Sequence, residues 1–275
     1  MSDSHFDTII ESRQGWNPVD WRELWRFREL MLTLAWRDIK VRYKQTVLGA
    51  AWAVFQPFVS MIIFSVFLGA LVRVPSDNVP YPVFVYAGLL PWTFFANCVG
   101  GASNSIISEG HLISKIYFPR LIIPVASFGS KLFDFIISFF IMFLIMAYYR
   151  MSPGITTLML PVLILFTMLT ALGIGTFFSA VCVTYRDVRY IVPVLIQLWM
   201  YATPVVYPMS IVPARWRWVV SLNPLAGLIE SYRSALLGRP FDWVSIGVSF
   251  AISVAFLIIG LVYFRKAEKR FADII

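Results

Sequence analysis

Met151–Tyr185 reads MSPGITTLMLPVLILFTMLTALGIGTFFSAVCVTY, thirty-five consecutive residues without Asp, Glu, Lys or Arg. The hydrocarbon core of a bilayer is about 30 Å thick, and about 20 apolar helical residues cross it. This stretch is long enough, and it has company. Uncharged runs also occupy Gln45–Val72, Asn78–Ser108, Tyr190–Ala214 and Trp243–Phe264. The 275-residue chain is 59% hydrophobic and 14% charged, against about 25% charged in a typical soluble domain. The expectation is an all-α membrane protein: one helical bundle with little soluble mass on either side.

The interval between Arg120 and Arg150 is apolar apart from Lys131 and Asp134 and completes a set of six predicted spans. They cover about 47–72, 80–107, 121–149, 155–183, 190–208 and 243–264. An even number places both termini on one side. Sixteen Lys and Arg flank the spans on that side, against six on the other. The richer side faces the cytoplasm. The net charge of +8 is thereby a membrane-topology signal, and no nucleic-acid partner is expected. The N-terminus is polar and mixed in charge, without the apolar core of a secretory signal. The first span then serves as its own insertion signal. Cys98 and Cys182 both lie inside apolar runs and read as packed thiols.

Four of the six outer cations fall within 209–242. That interval holds an apolar stretch, Trp218–Ile229, of only twelve residues. It is too short to span and has the length of a re-entrant or interfacial segment. Asn223-Pro224 in its middle reads as a helix cap followed by a first-turn proline. Two short helices are expected, about 213–221 and 224–237, with Gly238 ending the second. They either dip into the membrane or lie on it as part of an external loop. Non-helical backbone at membrane depth needs protein or water around it, which is the setting of a pore or gate.

Ahead of the spans, Asp20–Lys44 carries Trp21, Leu24, Trp25, Leu32, Ala35, Trp36, Ile39 and Tyr43 at helical spacing. Arg22, Arg26, Arg37, Lys40 and Lys44 lie away from that stripe, while Arg28 interrupts it. Asp20 and Glu23 suit a capping box. Such a helix lies at a membrane surface, as an anchor alone or also as a docking surface. The chain thus divides into a tail (1–19), an amphipathic helix (20–45) and a transmembrane domain (46–275).

Several chemistries find no support. The sequence has no G-x-x-x-x-G-K-[ST] loop for nucleotide phosphates and no H-E-x-x-H metal motif. Its two histidines, His5 and His111, have no ligand spacing, and no D-x-D pair occurs. Catalysis by this chain is therefore not expected, nor a metal or cofactor of its own, and energy, where needed, comes from a gradient or another subunit. Lys131 and Asp134 admit two readings: a functional intramembrane acid such as a proton relay, or mutual pairing at i,i+3. Polar and aromatic residues stand out in the other spans: Trp52, Phe55 and Gln56; Trp92, Asn97 and Asn104; Gln197, Trp199, Tyr201 and Thr203. They serve helix packing, or they line a path on which aromatic faces stack against sugar rings.

Local strings then point one way. HLISKIYFPR (His111–Arg120) follows the second span, YRDVRYIVP (Tyr185–Pro193) follows the fourth, and WMYATPVVYP (Trp199–Pro208) ends the fifth. With Asn223-Pro224 after them, their order resembles the membrane subunit of ABC polysaccharide exporters: the O-antigen, capsule and teichoic acid permeases. The resemblance runs from about Trp21 to the C-terminus. It implies an interface helix at Trp21–Lys44 and a coupling loop at Glu109–Arg120 seated on a separate ATPase. By that likeness Glu109, His111, Ser114, Lys115, Tyr117, Arg120, Arg37 and Lys40 are the coupling residues. Trp52, Phe55, Gln56, Trp199, Tyr201, Thr203 and Tyr207 line a conduit between two permease copies. Trp216, Trp218, Asn223, Pro224, Glu230 and Arg233 form an outer gate. The partners implied are a second permease copy, two cytoplasmic ATPase subunits that bind ATP and Mg, membrane lipids and a lipid-linked polysaccharide. Rival readings are an exporter of a drug or lipid, a membrane-embedded glycan or lipid transferase, and a gradient-driven carrier resting on Asp134.

Overall fold

The computed structural model describes residues 21–44 and 51–271. The tail 1–19 with His5, Asp20 of the expected capping box, and the start of the first span at 47–50 lie outside the described residues. All regular structure among the described residues is helical. In chain order it comprises α1 (Trp21–Arg26), α2 (Arg28–Lys44), α3 (Ala51–Phe64), α4 (Tyr81–Ser108), α5 (Gly110–Ile113), α6 (Ile122–Tyr148), α7 (Leu160–Thr184), α8 (Val188–Ala202), α9 (Ala214–Ser221), α10 (Pro224–Leu237) and α11 (Trp243–Glu268). A wider π-helical segment, Ser65–Leu71, continues α3, and a 3₁₀ turn, Ile155–Met159, leads into α7.

Among the described residues five helical stretches are long and apolar enough to cross a membrane: Ala51–Leu71, Tyr81–Ser108, Ile122–Tyr148, Ile155–Thr184 and Trp243–Glu268. The fifth expected span differs. Its helix, α8, has 15 residues, about 22 Å at 1.5 Å per residue. It stops at Ala202 instead of running to 208. Pro204 is the cause, because a proline drives the residue before it out of helical geometry. Thr203 accordingly sits at φ −103°, ψ 140°.

α4 is the central post. Nearly every side chain from Val83 to Phe95 is buried, and α4 packs against α3, α6, α7 and α10. Small residues set the closest approaches, as expected where lipid supplies no hydrophobic drive between helices. α7 and α11 cross at Gly173 and Gly260, where a Cβ on Gly260 would lie 2.0 Å from the Gly173 carbonyl oxygen. Nearby, Thr170 donates to Ser253 at 2.8 Å. Two apolar clusters result. The large one fills the bundle around Phe84, Phe95, Phe135 and Tyr232. The smaller joins Leu34, Ile106, Phe118, Ile122, Phe264 and Phe271 at one end. Cys98 and Cys182 are both free and buried, as packed thiols.

The N-terminal helix is more two-sided than its sequence pattern suggests. Phe27 marks a turn, although bonds from Phe27 N to Glu23 O (3.2 Å) and Met31 N to Phe27 O (3.1 Å) carry the rod across it. Leu34 is buried, and Leu24, Leu30 and Met31 pack with it against the small cluster. Trp25, Leu32 and Trp36 form a second apolar row, exposed on the other side. Arg28 lies over the Trp25 ring at 5.5 Å. One face therefore docks on α6 while the other is left for lipid or a partner.

Candidate functional site

The expected coupling loop is fastened at both ends. At its start, Arg37 Nη1 of α2 donates to Glu109 Oε2 at 3.0 Å, and Nη2 reaches the other carboxylate oxygen. Arg37 also donates to Asp38 at 2.9 Å. The bond to Glu109 is the main force raising the Arg37 guanidinium above its ordinary pKa, against the opposing effect of burial. At the other end, the Arg120 backbone N donates to Glu268 Oε1 at 3.2 Å. The Arg120 guanidinium donates to the Glu268 carbonyl and lies 5.8 Å over Phe271. Phe118 is buried beside it. Glu109 and Arg120, expected among the partner-facing residues, are in this chain intramolecular fasteners. What projects between them is His111, Ser114, Lys115, Ile116 and Tyr117, with Tyr117 68% exposed. Lys40 is exposed on α2, 5.5 Å over Trp36.

From this loop α2 climbs along α6. A Cβ on Gly129 would lie 2.6 Å from that of Ala35, so glycine is what permits the crossing. Beyond it, Arg42 Nη2 lies 3.0 Å from Asp134 Oδ2, and the Tyr43 hydroxyl donates to Oδ1. Burial, and then this bond, push the Tyr43 phenol above its ordinary pKa, so it stays protonated and donating. The pairing of Asp134 with Lys131 is thereby corrected. Asp134 takes its partners from α2, and no ion pair within 4 Å joins Asp134 to Lys131 among the described residues. Sequence spacing favoured the i,i+3 neighbour because the approach of α2 is set by Gly129, whose small size carries no charge signal.

Lys131 and Arg42 border two cavities. The larger, about 580 Å³, lies between α2, α4 and α6 and is lined by Arg37, Asp38, Ser105, Glu109, Ser127 and Ser130 among others. The smaller, about 50 Å³, is lined by Asp134, Asn97, Gln56 and Trp52 among others and reaches α3.

α3 and α8 bury little within the chain. Trp52, Phe55 and Gln56 are exposed on α3, and Gln197 and Tyr201 on α8. Trp199 is half-buried against Phe95, ring centroids 5.5 Å apart, and Tyr207 is half-buried. Thr203, expected on the same path, is fully buried. Its hydroxyl accepts from Asn223 Nδ2 at 2.7 Å and donates to Trp199 O at 2.7 Å. It holds the end of α8 in place of lining a surface.

The two short helices expected at about 213–221 and 224–237 correspond to α9 and α10. Asn223 Oδ1 accepts from Leu225 N at 3.1 Å, Pro224 opens α10, and Gly238 at φ 68° closes it. Their environments are opposite. Trp216 and Trp218 of α9 are exposed, whereas α10 is almost wholly buried. Arg233 is 0% exposed. It donates to the carbonyls of Pro204 (2.9 Å) and Val205 (2.6 Å), contacts Glu230 at 3.3 Å, and lies 3.7 Å over Phe84. Two of the carbonyls freed where α8 breaks are thus satisfied by this one side chain. At the same end Asp77 accepts from Ser210 at 3.0 Å and from Arg239, tying three loops together. Sequence reasoning overlooked Arg42, Glu268, Phe271 and Asp77. Each acts through a contact distant in sequence and belongs to no motif.

Residues 29–237 match the ABC-2 type transporter family. The chain belongs to that family. It is therefore a transport subunit without an ATPase domain, and membership implies a partner ATPase. Similar proteins include the O-antigen export system permease protein RfbA of Myxococcus xanthus, 30% identical over 256 residues that cover 92% of this chain and 97% of that one. A protein of the same description from Klebsiella pneumoniae is 28% identical over 248 residues, 90% and 95% of the two chains. The polysialic acid transport protein KpsM of Escherichia coli is 23% identical over 239 residues, 85% and 91% of the two.

Proposed function

We propose that this ABC-2 family member is the permease of an exporter that moves a lipid-linked polysaccharide, of O-antigen or capsule type, out of the cytoplasm. The observation that carries the reading is the unburied face of α3 and α8. Gln56, Gln197 and Tyr201 sit among apolar residues on helices of membrane character. A lipid-facing helix has no use for exposed amides at depth. A second copy of the chain facing the first encloses them as a conduit with aromatic and hydrogen-bonding walls. The polysaccharide cargo is supported by the descriptions of the relatives, which name O-antigen export and polysialic acid transport. In this reading α8 is the short fifth of six spans, and the Lys- and Arg-rich side, with both termini and the exposed loop tip, faces the cytoplasm. There the tip meets the ATPase, one for each of two permease copies. ATP is bound and hydrolysed on that partner, and its closure moves the loop and α2. Deleting the gene tests the cargo: glycan accumulates in the cytoplasm and returns to the surface on complementation. Unchanged surface glycan in the deletion strain refutes it.

A further inference from the structure

We infer that Asp134 is the positioning residue through which α2 acts on the membrane-embedded helices, by exchanging its partner Arg42 for Lys131. The inference rests on the reading of the chain as an ATPase-driven permease. α2 is held at three places: Arg37 on Glu109, Ala35 on Gly129, and Arg42 with Tyr43 on Asp134. The first belongs to the loop expected to meet the ATPase. The last lies twelve residues into α6, about 18 Å along its axis. Only six residues separate Lys44 from α3. A displacement of the loop therefore reaches Asp134 through α2.

The Asp134 end is built to release. Its side chain is 7% exposed and that of Arg42 40%. Arg42 contacts Oδ2 as an ion pair without a hydrogen bond to that oxygen. A buried carboxylate stripped of its cation is strongly destabilised, so α2 can leave only if another cation takes over. Lys131 stands one turn earlier on the same helix, at a spacing where such pairs form. It borders both cavities and has no carboxylate within 4 Å among the described residues. Departure of α2 leaves Lys131 to pair with Asp134, and its return restores Arg42. The i,i+3 pair suggested by sequence is then the second state of the same carboxylate.

The full complex with its ATPase, reconstituted in liposomes with the lipid-linked glycan, tests this by glycan moved per ATP hydrolysed. Lys131→Met and Asp134→Asn are each expected to lower that ratio about tenfold while leaving ATP hydrolysis within about twofold. Lys131→Met is decisive, because a static Arg42–Asp134 bridge has no need of Lys131. A normal ratio in Lys131→Met, or in Asp134→Asn, overturns the proposal. Should Asp134→Asn fail to assemble, Arg42→Gln read beside Lys131→Met decides, a normal ratio in either again overturning it. A wild-type complex that hydrolyses ATP without moving glycan instead refutes the cargo reading, and the exchange falls with it.

Discussion

Gly260→Ala tests the α7–α11 crossing most directly. The added Cβ lies 2.0 Å from the Gly173 carbonyl oxygen and 2.9 Å from both the Gly173 carbonyl carbon and Thr176 Oγ1. An ordinary carbon–oxygen contact is about 3.3 Å or longer, so the two helices must separate by more than about 1 Å. The obstacle is backbone, and no rotamer relieves it. A gap of about 1 Å forfeits up to about half the dispersion energy of the atoms across it. Overpacking usually costs about 1–3 kcal/mol, and this site belongs at the upper end, about 3 kcal/mol. Alanine returns about 1 kcal/mol through better helix propensity, leaving a net loss of about 2 kcal/mol. Gly247 in the same helix supplies the control. A Cβ there meets nothing within 4 Å, so Gly247→Ala gains propensity without a clash. Thermal unfolding of the purified protein in detergent, followed by tryptophan fluorescence, should put Gly260→Ala about 5 °C below wild type, with Gly247→Ala at or above it. Equal melting of the two variants to within about 1 °C would show that the crossing is not where the structure puts it.

Arg233→Lys keeps a buried charge but loses the fork between the Pro204 and Val205 carbonyls. It should cost about 2 kcal/mol and open 203–212 to limited proteolysis. Asn223→Ala removes both the α10 cap and the bond to Thr203; a loss of about 1–2 kcal/mol is expected in the same melting assay. Tyr117→Asp alters an exposed side chain, so melting of the chain should hold within about 0.5 kcal/mol. Its affinity for the partner ATPase in a pull-down titration should fall about tenfold, or 1.4 kcal/mol. Arg120→Ala should do the reverse in the first assay, lowering melting by releasing Glu268 and Phe271.

The bundle was readable because its signals are local. The thirty-five-residue uncharged run became the 3₁₀ turn and α7. Asn223, Pro224 and Gly238 marked the ends of α10 within a residue, since capping chemistry acts over a single turn. The early stop of α8 was also written locally, in Pro204, but hydropathy outweighed it in the span estimate. What could not be read was direction. Nothing in the sequence distinguishes Thr203, turned inward to Asn223, from Tyr201, turned outward. The same holds for Arg120, which carries the charge expected of a docking residue and spends it on Glu268. Such assignments depend on which distant segment arrives, and for α2 that is decided by the missing side chain of Gly129.

The burial of α10 bears on how the protein is made. α10 has 14 residues and includes Glu230 and Arg233, so the bilayer offers it no favourable place by itself. One of its walls belongs to a helix translated later. Gly227 fits against the Ser245 carbonyl and Ser249 Oγ of α11, with room for no Cβ. During synthesis α10 must therefore wait, with that wall open, until α11 has left the ribosome and inserted. The roof of the bundle closes last. A chain truncated ahead of Trp243 reaches the membrane with its roof unseated, a natural substrate for the proteases that clear unfinished membrane proteins.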